Sequence, residues 1–95
     1  MVAYIVARVA ITDAGKMKAY QALTPAAITK HGGKFIARGG DVVTLEGDEE
    51  TRRVVVIEFP DMAAAKTFWA SPEYAEAKAK RIGGADFQAF IVDGA

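Results

Sequence analysis

The residues of this chain that could bind or convert a small molecule are few, and most lie in short motifs. His31 is the only histidine, and it directly precedes Gly32-Gly33. A histidine at a helix C-terminus interacts favourably with the helix dipole, whereas a lone imidazole can also act as a general acid or base. An axial ligand to haem is a third option. A metal site of several imidazoles within one chain is excluded.

Arg8 and Glu58 are charged residues inside apolar, strand-like segments. Arg8 interrupts the run from Ala7 to Ile11, and Glu58 lies between Ile57 and Phe59. A buried charge needs a partner, because its desolvation is otherwise uncompensated. If the two strands are neighbours, these side chains can meet on one face of the sheet. They would then form a structural ion pair or serve as polar anchors inside a cavity.

Arg38 and the aromatic residues near Ser71-Pro72 are further candidates. Arg38 precedes Gly39-Gly40, which places a carboxylate-binding fork beside backbone that a ligand can approach, although a β-bulge also explains the two glycines. Trp69 and Tyr74 flank Ser71-Pro72, where such residues often pack as core or lid. The Tyr74 hydroxyl would need a partner if buried.

The composition excludes several classes of site and partner. Twelve Lys and Arg residues balance twelve Asp and Glu residues, so neither nucleic acid nor an anionic membrane is expected as a partner. Cysteine is absent, which excludes thiolate metal sites and is consistent with a reducing compartment. With no phosphate loop, metal-ligand cluster or nucleophile–base pair, no metal and no cofactor are predicted. The N-terminal stretch is typical of neither a signal peptide nor a membrane span, so a cytoplasmic location is expected.

The elements that must position these residues follow the order β-α-β-β-α-β. Apolar, β-branched segments predict strands at Val2–Ile11, Lys34–Arg38 continued over Asp41–Glu46, Arg52–Phe59 and Asp86–Val92. Helical spacing predicts the two helical regions, one from Met17 to His31 and one after Asp61. Residues 1–95 are therefore expected to form one ferredoxin-like α+β domain, with a four-stranded antiparallel sheet and both helical regions on one face.

Each of the two helical regions contains a proline. Pro25 would cost about 3 kcal/mol inside a helix, whereas Thr24-Pro25 is a favourable N-cap followed by a first helical position. We therefore expect two helical pieces that meet at Thr24-Pro25. In the second region, Asp61 caps one helix, and Ser71-Pro72 repeats the same signal before a short helix over Glu73–Arg81.

The strands carry apolar residues on both faces. In RRVVVIEFP (Arg52–Pro60), Val54 to Ile57 form an unbroken apolar run, although a strand with one solvated face should alternate. Both sets of alternate residues along the strands are mainly apolar. If the face without helices stayed exposed to solvent, the chain would forgo several kcal/mol of hydrophobic stabilisation, at about 25 cal/mol per Å² of buried apolar surface. A second copy laying its sheet against this one would cover that face and close a two-chain barrel. A homodimer is therefore predicted.

Five short motifs occur in an order that resembles a known family. They are HGG at His31–Gly33, RGG at Arg38–Gly40, VIEFP at Val56–Pro60, SPEY at Ser71–Tyr74 and VDG at Val92–Gly94. Together they resemble the family catalogued as domain of unknown function 1330, from Val2 to Gly94. The resemblance implies the dimeric α+β barrel superfamily but no mechanism. Other proteins on this barrel fold include cofactor-free monooxygenases, muconolactone-type isomerases, haem-degrading enzymes and stress-responsive binding proteins, whose activities carry over only by analogy.

Three hypotheses follow for the function. The first is a small-molecule site between sheet and helices, for isomerisation or cofactor-free oxidation of a compact apolar or acidic compound. Its expected residues are His31, Arg38, Glu58, Trp69 and Tyr74, with Arg8 as a further polar anchor. Arg38 would hold an acidic or enolic group, and His31 or Glu58 would move a proton. The second hypothesis is a dimeric ligand-binding or stress-associated protein without turnover, and the third is a structural dimer without a pocket.

Overall fold

The computed structural model describes residues 1–95 and contains four strands and three helices. The strands are β1 (Ala3–Ile11), β2 (Lys34–Arg38), β3 (Arg53–Phe59) and β4 (Ala85–Asp93). The helices are α1 (Ala14–Lys30), α2 (Met62–Trp69) and α3 (Pro72–Arg81). None of the three has the length and apolar character that a membrane crossing requires.

The strands form one antiparallel sheet in the order β2-β3-β1-β4. The register places Tyr4 of β1 opposite Glu58 of β3, and Arg8 opposite Val54. Neighbours in the sheet that are not neighbours in sequence require connections that cross one face, and the helices provide them. The predicted ferredoxin-like α+β fold is confirmed, with α2 and α3 together filling the second helical position.

The burial pattern along β1 identifies the face that the helices cover. From Ala3 to Ala10 its residues alternate between buried and half-buried positions. The buried ones, which face the helices, are Ala3, Ile5, Ala7 and Val9. The β3 residues with the same orientation include Ile57 and Phe59, which are buried in the main core. Helix residues that join them there are Ala27, Ile28, Ala65, Phe68 and Tyr74. The sequence left both parities possible, and the structure selects this one.

The opposite face of the sheet carries no helix, and we call it the open face. An apolar row crosses all four strands on it, formed by Ala37, Val56, Val6 and Phe90. Phe90 is 47% exposed, which is unusual for a phenylalanine in a regular strand. The two-sided apolar character read from the sequence is therefore present in the folded chain.

Helix α1 differs from the prediction because it continues through Pro25. The sequence predicted two pieces meeting at Thr24-Pro25, but Ala14–Lys30 forms one helix with Pro25 inside. Residues on both sides of the proline, among them Thr24 and Ile28, are buried. Tertiary packing across the proline therefore outweighs the one backbone hydrogen bond that it removes.

The predicted strand over Asp41–Glu46 is wrong. The pairing of β2 with β3 ends at Arg38 opposite Val55, followed by one hydrogen bond from Gly39 N to the Val54 carbonyl. Beyond that point only Arg53 of β3 remains, because the strand begins there. Residues 40–52, which we call the arm, make no backbone-to-backbone hydrogen bonds and leave Leu45 95% exposed.

Candidate functional site

A partly open gap lies between the helix-facing side of the sheet and the helices. Twelve of its sixteen lining residues are hydrophobic. The centre of a water molecule can occupy about 50 Å³ within this gap. That volume has room for a few waters, since one water needs roughly 10–15 Å³ on this measure. The lining residues are Ile5, Ala7, Val9, Met17, Tyr20, Gln21, Thr24, Ile28, Phe35, Arg38, Arg53, Val55, Ile57, Phe68, Trp69 and Phe87. Any occupant must be small, or must extend out through the opening.

Aromatic side chains form much of the wall. They are Tyr20, Phe35, Phe68, Trp69 and Phe87, contributed by four different elements. Flat rings that converge on a narrow space favour a flat, apolar occupant through stacking and edge contacts. The sequence prediction that Trp69 faces this gap agrees with its position.

Two arginines supply positive charge to the lining. Arg38 is exposed and its guanidinium carbon lies 4.2 Å from the centre of the Phe35 ring, while Arg53 is half-buried on the neighbouring strand. Neither takes part in any of the five ion pairs of the chain. Guanidinium groups bind carboxylates in a fork geometry. An anionic group of an occupant would meet two guanidinium groups without a carboxylate partner here, and the binding role of Arg38 stays a prediction.

Gly39 makes room for the Arg53 side chain. Its φ of +70° is a conformation that glycine adopts without strain, and a Cβ there would collide with the Arg53 guanidinium. The sequence interpretation was that the glycines of the RGG motif let a ligand approach the backbone. In the structure, the group that approaches Gly39 is a second arginine.

Tyr74 is fully buried behind the wall rather than in it. Its ring packs against Trp69 with centroids 4.5 Å apart, and its hydroxyl lies 3.1 Å from that of Tyr20. Arg81 Nη2 donates a hydrogen bond of 3.2 Å to the same Tyr74 oxygen. Tyr74 therefore supports Tyr20 and Trp69, and the partner that its hydroxyl was expected to need is present.

Tyr20, Arg53 and Arg81 were not identified from the sequence as site residues. A usable signal existed for Arg81, because Tyr74, Ala77 and Arg81 recur at helical spacing and all three are buried. Burial raises the pKa of the Tyr20 hydroxyl, and the neighbouring Tyr74 raises it further. Tyr20 therefore stays protonated and can donate a hydrogen bond.

His31 lies outside the gap. It is the C-cap of α1, and its ring meets Phe68 edge to face at 6.0 Å. Its Nε2 forms a 2.9 Å hydrogen bond with Glu73 Oε1, and Lys30 Nζ approaches the other oxygen at 3.4 Å. The prediction that His31 lines the gap is wrong, because Ile28 is the residue of the last turn of α1 that faces the lining, while the His31 ring contacts Glu73 of α3. The helix-terminus position named as the alternative is the one observed.

The contact between His31 and Glu73 predicts a pH dependence of stability. The hydrogen bond from His31, with a further contribution from Lys30, holds the pKa of Glu73 below its usual 4.5. Such a carboxyl stabilises the fold above its unfolded pKa and loses that contribution as the pH falls through the folded pKa. We expect the melting temperature below pH 4.5 to fall less steeply in Glu73→Gln than in the unmodified chain.

The matched control for that measurement is Glu76→Gln, an exposed position on the same helix. It should keep the slope of the unmodified chain. Equal slopes for both variants would contradict a stabilising role for the His31–Glu73 contact.

Glu58 and Arg8 both lie on the open face, separated from the gap by the sheet. Glu58 pairs with Lys34 Nζ at 3.2 Å, and Arg8 Nε donates to Glu50 Oε2 at 2.7 Å. The predicted placement of Glu58 in the gap is wrong, because strand alternation turns it away from the helices. The two charges do not pair with each other either, since Tyr4 and not Arg8 is opposite Glu58. No group of three or more His, Cys, Asp or Glu side chains is arranged to hold a metal ion.

Comparison with solved structures identifies the fold. A protein of unknown function from Rhodopseudomonas palustris superposes with a TM-score of 0.75 at 20% identity, covering 99% of this chain and 82% of its own. SnoaB, a cofactor-independent oxygenase from Streptomyces nogalater, superposes at 0.69 with 15% identity, covering 99% and 93%. A dimeric ferredoxin-like protein of unknown function from Jannaschia sp. CCS1 superposes at 0.70 with 12% identity, covering 99% and 100%. At these identities the likeness establishes a shared fold.

Sequence comparison identifies the family. No curated protein matches the chain. The profile of the domain of unknown function DUF1330 matches residues 2–95, which is nearly the whole sequence and agrees with the order of the five motifs. The chain therefore belongs to the DUF1330 family.

Proposed function

We propose that this protein binds a small, flat, anionic compound in the gap between its sheet and helices. The observation that carries the proposal is the combination of an apolar, aromatic lining with Arg38 and Arg53, which have no carboxylate partner in the chain. A guanidinium beside apolar walls attracts a carboxylate, enolate or phenolate more strongly than it would in open water. The aromatic walls supply the contact area for the rest of the compound.

The proposed assembly is a homodimer in which two open faces meet. Phe90 and Val92 of β4 are about half exposed, and in the arm Val43 and Leu45 are 78% and 95% exposed. Exposed apolar surface of this kind is typical of a protein interface. The Jannaschia protein with the same fold is described as dimeric. A two-chain barrel would place the gap of each protomer on the outer side of its sheet, under the helices.

The binding proposal can be tested with benzoate as the probe, because it joins a carboxylate to a flat ring. Trp69 lines the gap and is the only tryptophan, so its fluorescence reports occupancy. We expect benzoate to change the Trp69 emission in a saturable titration. In Arg38→Met the dissociation constant should rise about tenfold, since a charge-assisted hydrogen bond contributes about 1.5 kcal/mol or more.

Arg52→Met is the matched control for this titration. Arg52 is also an arginine of the sheet region, but it donates to Asp86 and lies outside the lining. Its dissociation constant for benzoate should equal that of the unmodified chain. No saturable change in Trp69 emission, or an equal loss in both variants, would refute binding in the gap.

Catalysis is the second candidate, favoured by the arginines of the lining, which can stabilise a negative charge that develops on a bound compound. The fold also houses a cofactor-independent oxygenase. Against it, the lining contains neither a carboxylate nor an imidazole to abstract a proton.

Exchange of the acidic carbon-bound protons of phenylpyruvate in D₂O, followed by NMR, distinguishes binding from catalysis. Binding alone predicts no acceleration, and a marked acceleration that Arg38→Met removes would favour an isomerase or oxygenase.

A further inference from the structure

Arg81 is a buried cation without an acidic partner. It is 7% exposed, and none of the ion pairs of the chain includes it. Its only side-chain hydrogen bond is the one that Nη2 donates to Tyr74, and its Nε is a buried donor with no acceptor. An ionised group removed from water costs several kcal/mol unless charge or hydrogen bonds replace the lost hydration.

The chain compensates this charge only in part. The guanidinium carbon lies 3.7 Å from the centre of the Phe87 ring and 5.4 Å from that of Tyr20. Cation–π contacts of this kind contribute about 0.5–2 kcal/mol each, and the C-terminal end of α3 also favours a cation. Neither contact gives Nε an acceptor or brings a negative charge. Both aromatic partners of Arg81 line the gap, so the cation lies directly behind its wall.

The hydrogen bonds leave one hydroxyl donor free, on a residue that lines the gap. Tyr74 Oη accepts from Arg81 Nη2, and its only other side-chain partner is Tyr20 Oη at 3.1 Å. Beside a cation, the Tyr74 proton is best directed away from it, toward Tyr20. The Tyr20 hydroxyl then accepts from Tyr74, and its own proton has no acceptor within the chain. The opposite arrangement would leave the unmatched proton on Tyr74, which is buried where no ligand can accept it.

We propose that Tyr20 donates a hydrogen bond to an oxygen of the compound bound in the gap, and that Arg81, acting through Tyr74, strengthens this donor. The inference rests on the proposed binding function and adds the class of ligand. Arg38 is on β2 and Phe87, beside Tyr20, is on β4, at opposite edges of the sheet. A fitting ligand is therefore a flat ring with an acidic group at one end and a phenolic or enolic oxygen at the other.

The pair of benzoate and 4-hydroxybenzoate tests this inference, because the second compound adds only the oxygen that Tyr20 would meet. In the unmodified protein we expect Trp69 fluorescence to report about tenfold tighter binding of 4-hydroxybenzoate, as one polarised hydrogen bond would give. That ratio should fall to about one in Tyr20→Phe and in Arg81→Met. Arg81→Lys should restore part of it, because the charge returns without the planar fork.

Circular dichroism of the same variants serves as the folding control. Because the ratio compares two probes on one variant, a change in affinity that is common to both probes does not alter it. A tenfold ratio that persists in Tyr20→Phe and Arg81→Met would overturn the inference, as would equal binding of the two probes by the unmodified protein. In both cases benzoate binding itself would stand. Absence of benzoate binding would instead refute the proposed function, and this inference with it.

Discussion

Replacing Val56 by aspartate should convert the proposed homodimer into folded monomers. Val56 lies in the apolar row of the open face, opposite Val6 on one side and Ala37 on the other. In a single chain this position borders solvent, so the new carboxylate would stay hydrated. In the dimer it would be buried without a partner, at a cost of about 3 kcal/mol or more per protomer. The dissociation constant of the dimer should therefore rise more than a hundredfold.

Size-exclusion chromatography with light scattering measures this change directly. The unmodified chain should elute at twice its mass of 10.1 kDa, and the variant at the mass of one chain, with an unchanged circular dichroism spectrum. Ala19→Asp, on the exposed side of α1, introduces the same charge away from the open face and should remain dimeric. A Val56→Asp variant that remained a well-behaved dimer would refute pairing through this face.

Replacing Ile57 by aspartate, one residue further along, should instead unfold the chain. Ile57 is 8% exposed and packs in the main core with Ile5, Phe59 and Phe68. The substitution removes a buried side chain, worth about 2–5 kcal/mol, and adds an unpaired carboxylate to the core. The sum approaches the whole stability of a small domain, about 5–15 kcal/mol. We expect circular dichroism to show loss of the cooperative thermal transition.

Ile57→Val provides the conservative comparison, since it removes one methyl group and should cost about 0.5–1.5 kcal/mol. The contrast between Val56→Asp and Ile57→Asp tests the strand parity itself. Similar behaviour of the two aspartate variants would be incompatible with one residue facing the helices and the next facing a partner.

The fold could be predicted from the sequence because local signals agreed with one another. Asp61 and Ser71 cap the helices that they were expected to cap, and Lys34–Arg38 is a strand with the predicted bounds. Where prediction failed, tertiary contacts decided. Pro25 is tolerated because residues around it are buried. Asp41–Glu46 is not a strand because β3 begins at Arg53, which leaves a single residue beyond its pairing with β2.

The candidate site was harder to predict, because it depends on which way each side chain points. Glu58 belongs to a strand whose two parities were both apolar, so the sequence could not assign it to the open face. The prediction that Arg38 and Trp69 face the gap agrees with their positions. Each is the last residue of its element, Arg38 of β2 and Trp69 of α2. Arg81 is a charged residue in the last turn of a helix, and such residues are usually exposed. Only its helical spacing from Tyr74 indicated that its side chain is buried.

A crystal structure of the protein grown with benzoate would test the central claim most directly. We expect the ring to lie between the aromatic side chains of the gap, and the carboxylate to lie within hydrogen-bond distance of Arg38 or Arg53. An empty gap under saturating benzoate, or benzoate bound only at other surfaces of the molecule, would contradict it.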